Sequence, residues 1–226
     1  VDSRGDTTMN QMLAKFVDES KYKEIVSSIL SLAKELGADQ AEVGASCSQG
    51  LNVNVRLGEV ENIEFNRDKA VAISVYVNQH KGSASTTDLS PEALKATVEA
   101  ALNIAKYTEQ DRCAGLADKE SMATDIPDLD LYHPWEGSVE DAKALALECE
   151  KAALAFDKRI INSDGACLSS GQNFHVYGNS HGFIGGYPSS VHSLSCSVIG
   201  EEKGMQTDYQ YTLSRRFEEL ASPEQV

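Results

Sequence analysis

The sequence predicts an α+β fold, in which helices pack against antiparallel strands. Apolar residues recur every three or four positions in 21–36, 94–105 and 145–156, which is the period of an amphipathic helix. In 51–57 and 71–77 they alternate with polar residues, which is typical of strands with one buried face. Late in the chain strand-like runs follow one another with only short glycine-rich stretches between them, so no βα alternation is expected there.

The first predicted module covers residues 20–110. It begins with a helix from Lys21 to Leu36, with Ser20 as its N-cap and Gly37 just past its end. Four strands follow, and Ser90 and Pro91 then start a second helix. The predicted strands are 51–57, 60–65, 71–77 and 83–87, and the second helix runs to about residue 107.

The second predicted module covers residues 138–226 and is rich in β structure. Ser138 and Asp141 resemble a capping box that starts a helix ending near Phe156. Three strands are then expected, at 174–177, 191–199 and 205–213, before a short helix at 215–220. In the last strand five residues are expected to share one face: Met205, Thr207, Tyr209, Tyr211 and Leu213.

The remaining segments are predicted to be connections and ends. Residues 111–137 have no steady period and are expected to form a linker that packs on both modules. Residues 1–19 are expected to be a flexible leader or the remnant of a tag. Ser222, Pro223 and Glu224 repeat the helix-start signal seen at Ser90, so the chain is expected to be a fragment of a longer protein.

Composition and charge exclude several classes of protein. A net charge of -15 repels phosphate backbones, which argues against direct binding to nucleic acid. No apolar run approaches the roughly 20 residues that span a bilayer, and the polar start is not expected to be a signal peptide. The five cysteines are odd in number and widely spaced, with no CxxC. We therefore expect a cytoplasmic protein without disulfides or a structural zinc site.

Two short motifs resemble catalytic serine motifs, but each has a simpler structural interpretation. Residues 178–182 fit G-x-S-x-G, which would place Ser180 on a nucleophile elbow. The residues that follow cannot start a helix, so a hairpin turn is the favoured interpretation. Ser20 and Lys23 fit S-x-x-K, but the companion motifs are absent and a helix cap is favoured.

Two groups of residues suggest metal or acid–base chemistry. His175, His181 and His192 are close in sequence but lack the helical spacing of a zinc site, so histidines at strand ends are favoured. The carboxylates Glu59, Glu61, Glu64 and Asp68, together with Arg67, are interpreted as a solvated hairpin rather than an acid–base pair. No Walker A or G-x-G-x-x-G motif supports nucleotide binding. The residues alone therefore indicate no catalytic centre.

Several long stretches are similar to the TldE/PmbA family, the partner of TldD in a bacterial proteolytic complex. They include LGEVENIEFNRDKAVAISVY at 57–76, KGSASTTDLSPEAL at 81–94, CAGLADKE at 113–120, DLDLYHP at 128–134 and a last stretch, 177–215. They occur in the family's order along most of the chain. The resemblance implies the N-terminal half of a protein about twice this length.

The resemblance implies a non-catalytic, accessory subunit. Zinc is expected in the TldD-like partner, which carries H-E-x-x-x-H, whereas this sequence contains no His-Glu dipeptide. The heterodimer would enclose an extended leader or unfolded peptide and cleave it, and no catalytic, metal-binding or substrate-binding residue is assigned in this chain. Peptide addition to an edge of the strands at 51–87 is one hypothesis.

Two other functions stay open. The first, which the resemblance also implies, is a regulatory module that binds gyrase or toxin–antitoxin proteins without proteolysis. The second is a stand-alone hydrolase that uses Ser180.

Overall fold

A computed structural model describes residues 18–226 and shows one six-stranded sheet with three helices on one face. All neighbouring strands are antiparallel, in the order β3-β2-β1-β4-β5-β6. The helices are α1 (Glu19–Glu35), α2 (Pro91–Ala105) and α3 (Val139–Phe156). The strands are β1 (Gln40–Arg56), β2 (Glu59–Val77), β3 (His80–Thr86), β4 (Ile160–Asn179), β5 (Ile184–Glu201) and β6 (Met205–Ser214).

The helix starts follow local capping signals. Ser90 caps α2 through its hydroxyl, with Pro91 in the first turn, and Ser138 and Asp141 form the predicted capping box of α3. Ser20 as the cap of α1 is wrong, because Asp18 accepts the hydrogen bond from the Lys21 N–H at 3.2 Å. The predicted helix at 215–220 is only a short 3₁₀ turn, Phe217–Glu219, and a second 3₁₀ turn spans Lys119–Ser121.

The strands are longer than predicted. The predicted strands 60–65 and 71–77 are both parts of β2, so residues 51–87 contribute three strands rather than four. Similarly, 51–57 falls mostly in the second half of β1, and 174–177 lies at the end of β4. Residues 66–69 are polar and exposed, yet they pair along β1 without a break. Backbone pairing with a neighbour therefore extends these strands where side-chain alternation fails.

The sheet is continuous across the predicted linker. β1 from the first predicted module pairs with β4 from the second, from Glu42↔Asn179 to Val55↔Ala166. The division at 111–137 stays a prediction. Of the predicted leader, residues 1–17 lie outside the described residues.

Two apolar clusters lie between the helices and the sheet. One joins α1 and α2 to β1, β2 and the end of β4, and the other joins α3 to the far half of β1, β4 and β5. A band of buried polar residues separates them: Gln49, Gln172, Ser190 and His192. All three helices therefore pack on the same face, and β6 has no helix beneath it among the described residues.

Candidate functional site: the uncovered face of the sheet

The face of the sheet opposite the helices is covered at one end only. There, residues 108–126 pass over it, and the Leu116 N–H donates to Gln40 Oε1 at 2.8 Å. Beyond this end, β1 presents every second side chain to the uncovered face, in alternation with the buried positions that contact the helices. On β1 these positions from Gly44 to Asn54 are all glycine, serine or asparagine.

Strands β4 and β5 continue this uncharged surface on one side of β1, whereas on the other side β2 places Glu64 opposite Asn52 and Asp68 opposite Ser48. The register places Ser169, Gly171 and Asn173 of β4 beside the uncovered positions of β1, and serines of β5 follow, at 189, 193, 195 and 197. Hydroxyl and amide groups both donate and accept hydrogen bonds. In a chain with a net charge of -15, this neutral surface suits the backbone of another polypeptide better than a charged ligand.

A row of aromatic and apolar side chains borders the neutral surface on β6. Tyr209, Tyr211 and Leu213 lie opposite Ser197, Ser195 and Ser193 of β5. They share a face with Met205, as the sequence predicts, and all four residues are 57–70% exposed. We call Met205, Thr207, Tyr209, Tyr211 and Leu213 the β6 row.

The covered end of this face holds a small charged cluster. Glu42 accepts hydrogen bonds from the hydroxyls of Tyr76 at 2.9 Å and Tyr177 at 3.1 Å. Lys81 Nζ lies 4.0 Å from Glu42 Oε1 and 5.5 Å from the centre of the Tyr76 ring. Burial and the hydrogen bond to Glu42 raise the pKa of Tyr76 to about 12, so its hydroxyl stays a donor. A cleft of about 480 Å³ lies between this cluster and residues 108–115.

Sequence reasoning missed Glu42 because residues 40–50 were not predicted to be a strand. Alternation of Ala41, Val43 and Ala45 with polar residues was the available signal. Their small side chains made the alternation weak.

Ser180 is part of a hairpin turn and not of a nucleophile elbow. Its hydroxyl accepts the Ala41 N–H at 3.0 Å, and its own N–H donates to the Ala41 carbonyl at 2.8 Å. Gly182 has a φ of +100°, and β5 begins at Ile184 without a helix. The favoured hairpin interpretation is confirmed, and the local geometry of a serine hydrolase is absent from this turn.

The three candidate histidines do not come together. His175 lies on the uncovered face, His181 lies in the turn, and His192 is fully buried on the helix side. Within residues 18–226, no group of three or more His, Cys, Asp or Glu residues is arranged to hold a metal ion. No helix of that part of the chain is long and apolar enough to cross a membrane.

His192 instead fixes the linker to the sheet. Its Nε2 lies 2.9 Å from the His133 carbonyl and its Nδ1 lies 3.0 Å from the Ser170 hydroxyl. The carbonyl can only accept, so Nε2 carries the proton and Nδ1 accepts from Ser170. Burial lowers the pKa of His192, which keeps the ring neutral.

The carboxylates of the first hairpin are exposed, as the solvated-hairpin interpretation predicts. Glu59, Glu61 and Glu64 all lie on the solvent-exposed part of β2. The carboxylate that contacts this hairpin is the buried Glu150 of α3, which sequence reasoning did not single out. It accepts the N–H groups of Leu57 and Gly58, both at 2.8 Å, and so joins α3 to the β1–β2 turn.

Comparison with protein families identifies both halves of the chain. Residues 41–105 match the PmbA/TldA metallopeptidase domain 1, and residues 132–225 match the PmbA/TldA metallopeptidase central domain. The chain belongs to the PmbA/TldD family. The resemblance inferred from the sequence is therefore confirmed.

Curated members of the family are close in sequence. The chain is 53% identical over 206 residues to the metalloprotease PmbA homolog of Haemophilus influenzae, covering 91% of this chain and 46% of that protein. It is 53% identical over 205 residues to metalloprotease PmbA of Escherichia coli O157:H7, covering 90% of this chain and 45% of that protein. The chain thus spans about half the length of these PmbA/TldD proteins.

Solved structures of the family share the fold. A putative modulator of DNA gyrase from Bacteroides thetaiotaomicron has a TM-score of 0.82 at 24% identity, over 91% of this chain and 47% of that one. TldE from Thermococcus kodakarensis has a TM-score of 0.69 at 16% identity, over 84% of this chain and 43% of that one. At these identities the likeness concerns the fold alone, and it confirms the predicted α+β class.

Proposed function

We propose that this chain forms part of the accessory, non-catalytic subunit of a heterodimeric zinc metalloprotease that acts in the cytoplasm. A TldD-like partner subunit binds the zinc, and the complex cleaves unfolded or leader peptides. Membership of the PmbA/TldD family and 53% identity to proteins named metalloprotease PmbA support this role. The observation that carries it in this chain is the surface rich in serine, asparagine and glycine that β1, β4 and β5 present on the uncovered face of the sheet.

A peptidase complex that accepts many sequences has to recognise what all peptides share, which is the backbone. Serine and asparagine side chains on the uncovered face offer both donors and acceptors to peptide groups without selecting a charge. Glycines at 44, 50 and 171 have no side chain, so a peptide backbone can approach the sheet closely at these positions. In this proposal the face guides an extended peptide towards the partner's zinc, and the chain's own residues perform no bond cleavage.

The peptide can also add a strand to the free edge of residues 51–87, which in this fold is β3. Part of this edge is already engaged, because the Thr108 hydroxyl donates to the Lys81 carbonyl at 3.0 Å. Residues 83–86 are the part left for such pairing. Ser85→Pro should then slow peptide cleavage by the complex, and unchanged cleavage with an intact fold would reject strand addition here.

The first test compares the full-length protein with and without its TldD-like partner in a peptide-cleavage assay, with zinc analysis of each subunit. We expect cleavage only in the mixture and zinc only in the partner. Cleavage or stoichiometric zinc in this protein alone would overturn the accessory role.

The role of the uncovered face is tested separately. Ser48→Trp places a large side chain in the centre of the face, and Ser27→Trp makes the same change on the exposed side of α1. We expect the first variant to raise the KM for unfolded peptides at least several-fold and the second to leave it unchanged. Equal KM values in the two variants would remove the face from peptide binding.

A second candidate function is regulation through protein binding, without proteolysis. It is favoured by two solved structures of the same fold that are described as putative modulators of DNA gyrase. With a net charge of -15, such action would proceed through protein partners such as gyrase or an antitoxin rather than through DNA. Stoichiometric binding to gyrase in the absence of the TldD-like partner would support this function, and its absence would reject it.

A further inference from the structure

The linker takes the place of β6 at one end of β5. β6 pairs with β5 only as far as His192, so the backbone of β5 before this residue has none of the six strands on that side. There the Ser190 N–H donates to the Leu131 carbonyl at 2.9 Å, and the Ser190 hydroxyl accepts the N–H of His133 at 2.8 Å. Residues 131–133 therefore close this stretch of the sheet edge from within the same chain.

The segment after β6 is held at the same place. The Ser190 hydroxyl donates to the Arg215 carbonyl at 2.9 Å, and the Arg215 guanidinium donates to the Ser190 carbonyl at 3.0 Å. Arg216 forms an ion pair with Asp130 of the linker. One serine of β5 and one ion pair thus join two stretches of the chain that are distant in sequence.

The ring of His192 lies fully buried beside these two stretches. Phe217 packs edge-on against it with ring centres 5.6 Å apart, and stacks on Trp135 with ring centres 4.3 Å apart. We call residues 130–135 and 214–217 the latch. Because both parts of the latch contact the ring, moving the latch aside would expose His192 to water.

The hydrogen bonds of the His192 ring fit its neutral form. Nε2 donates to the His133 carbonyl and Nδ1 accepts from the Ser170 hydroxyl. A protonated ring carries a proton on both nitrogens, so Nδ1 can no longer accept this bond. The added charge would also be buried beside a carbonyl and a hydroxyl rather than a carboxylate, which is strongly unfavourable. The closed latch therefore disfavours a proton on His192.

Nearby charges do not reverse the effect of burial. Burial is the largest influence on the pKa of His192 and lowers it, whereas the bond to the His133 carbonyl and the charge of Glu218 raise it less. The His133 ring also lowers it. Both neighbours have partners of their own, since Arg216 Nη1 lies 4.0 Å from Glu218 Oε1 and His133 Nε2 lies 3.2 Å from Asp130 Oδ1.

The sheet and α3 complete the surroundings of the ring. On β4 and β5 the register places Ser170 and Ser190 next to it, and both are neutral. α3 packs on the same strands and begins with Glu140 and Asp141, the second of which is held in the capping box by Ser138. Both hydrogen-bond partners of the ring are therefore uncharged.

We propose that the latch is a pH-sensitive device, which opens when the His192 ring takes up a proton and then frees residues 130–135 from the sheet. The buried residues of the two apolar clusters lie outside the latch, so the rest of the fold stays intact. In the open state the hydrated ring has the ordinary histidine pKa of about 6.5. Each pH unit below this value then favours opening by up to about tenfold, until the lower pKa of the closed state is reached.

Hydrogen exchange in the full-length protein tests the proposal. The amides of Ser190 and His133 report on the latch, because opening breaks the hydrogen bonds that both donate. From about pH 7.5 to about pH 5.5 we expect their protection factors, corrected for the intrinsic exchange rate at each pH, to fall about tenfold. The amides of the central strand β1 should keep their protection. Unchanged protection of the latch, or an equal fall in β1 that indicates global unfolding, would overturn the proposal.

Three variants assign the effect to one ring. His192→Gln keeps a donor and an acceptor but does not titrate, so protection of the latch should be the same at both pH values. His133→Gln in the latch and His175→Gln on the uncovered face are the matched controls and should retain the tenfold fall. A fall that persists in His192→Gln, or one that is lost in His133→Gln, would contradict the assignment.

The comparison of the latch with β1 in the wild-type protein decides the proposal even where His192→Gln does not fold. None of these measurements depends on peptide cleavage or on a partner subunit, so the accessory role is judged separately.

Discussion

The two edges of the sheet differ in how the chain protects them. At the β3 edge, α2 packs directly on the strand, and the Thr108 hydroxyl donates a hydrogen bond to the backbone carbonyl of Lys81. β3 itself is seven residues long and carries Lys81. At the β6 edge, ten residues pair with β5 on one side only, and the apolar row is left exposed. The same sheet thus has one edge that its own chain partly engages and one that has no further strand or helix beside it among the described residues.

Connection length explains this difference. α2 begins five residues after β3 ends and folds back onto it at once. α3 precedes β4, β5 and β6 and packs on β1, β4 and β5, so no later helix of the described chain reaches β6. The following predictions test how much the packing of α2 and α3 on the sheet contributes to the free energy of unfolding. They also test how little the exposed side chains of β6 contribute to it.

The largest effect is expected where α2 touches β3. A Cβ atom on Gly82 would lie 1.9 Å from the Ala101 carbonyl oxygen and 2.6 Å from the Ala105 nitrogen. Gly82→Val should therefore separate α2 from the strand and lower the free energy of unfolding by more than about 3 kcal/mol. Ser85→Val on the exposed face of β3 is the control and should stay within about 0.5 kcal/mol in urea denaturation. Equal stability of the two variants would contradict the close packing of α2 on β3.

The next effect concerns the anchor of α3. Glu150→Ala removes the carboxylate that accepts the N–H groups of Leu57 and Gly58. Hydrogen bonds to charged groups contribute about 1.5–3 kcal/mol each, and water can replace part of this at the turn, so we expect a loss of roughly 2–3 kcal/mol. Glu148→Ala, on the exposed side of α3, is the matched control. A loss no larger than in that control would contradict the anchoring role.

A pH effect should follow from His192 on β5. Burial lowers its pKa in the fold, whereas the unfolded chain has an ordinary histidine pKa of about 6.5. The unfolded state therefore binds more protons once the pH falls below about 6.5, and the free energy of unfolding should decrease from there towards the lower folded pKa. His192→Gln should flatten this decrease in denaturation measured at several pH values. His175→Gln on the uncovered face should leave it in place, and an equal flattening there would contradict the assignment.

The smallest effect is expected at β6 itself. Tyr211→Ser removes an exposed ring and should change the stability of the monomer by no more than about 0.5 kcal/mol. Tyr22→Ser makes the same change on α1, where the buried ring packs edge-on against Phe174 at 6.0 Å, and should cost about 3 kcal/mol. Thermal unfolding at low protein concentration compares the two. A large loss at Tyr211 would show that the β6 row stabilises this part of the chain despite its exposure.

Parts of this fold could be predicted because their causes are local. Ser90 with Pro91 and Ser138 with Asp141 start helices through hydrogen bonds within one turn. Alternation along β6 placed its apolar row on one face before any partner strand was known. The candidate site was harder to predict, because the positions of β1 on the uncovered face from Gly44 to Asn54 are all serine, asparagine or glycine, which resembles ordinary loop composition.

The sequence by itself determined the helix starts, the strand alternation, the family and the neutral composition of the central strands, since each depends on residues close along the chain. Only the tertiary structure decided that residues 40–50 and 66–70 are strands, because neighbouring backbone hydrogen bonds extend them. It also decided that Ser180 bonds to Ala41, 139 residues away, and that β6 has no further strand beside it within residues 18–226. These features depend on which strands become neighbours and on which strands the helices pack. No local sequence pattern encodes such long-range contacts.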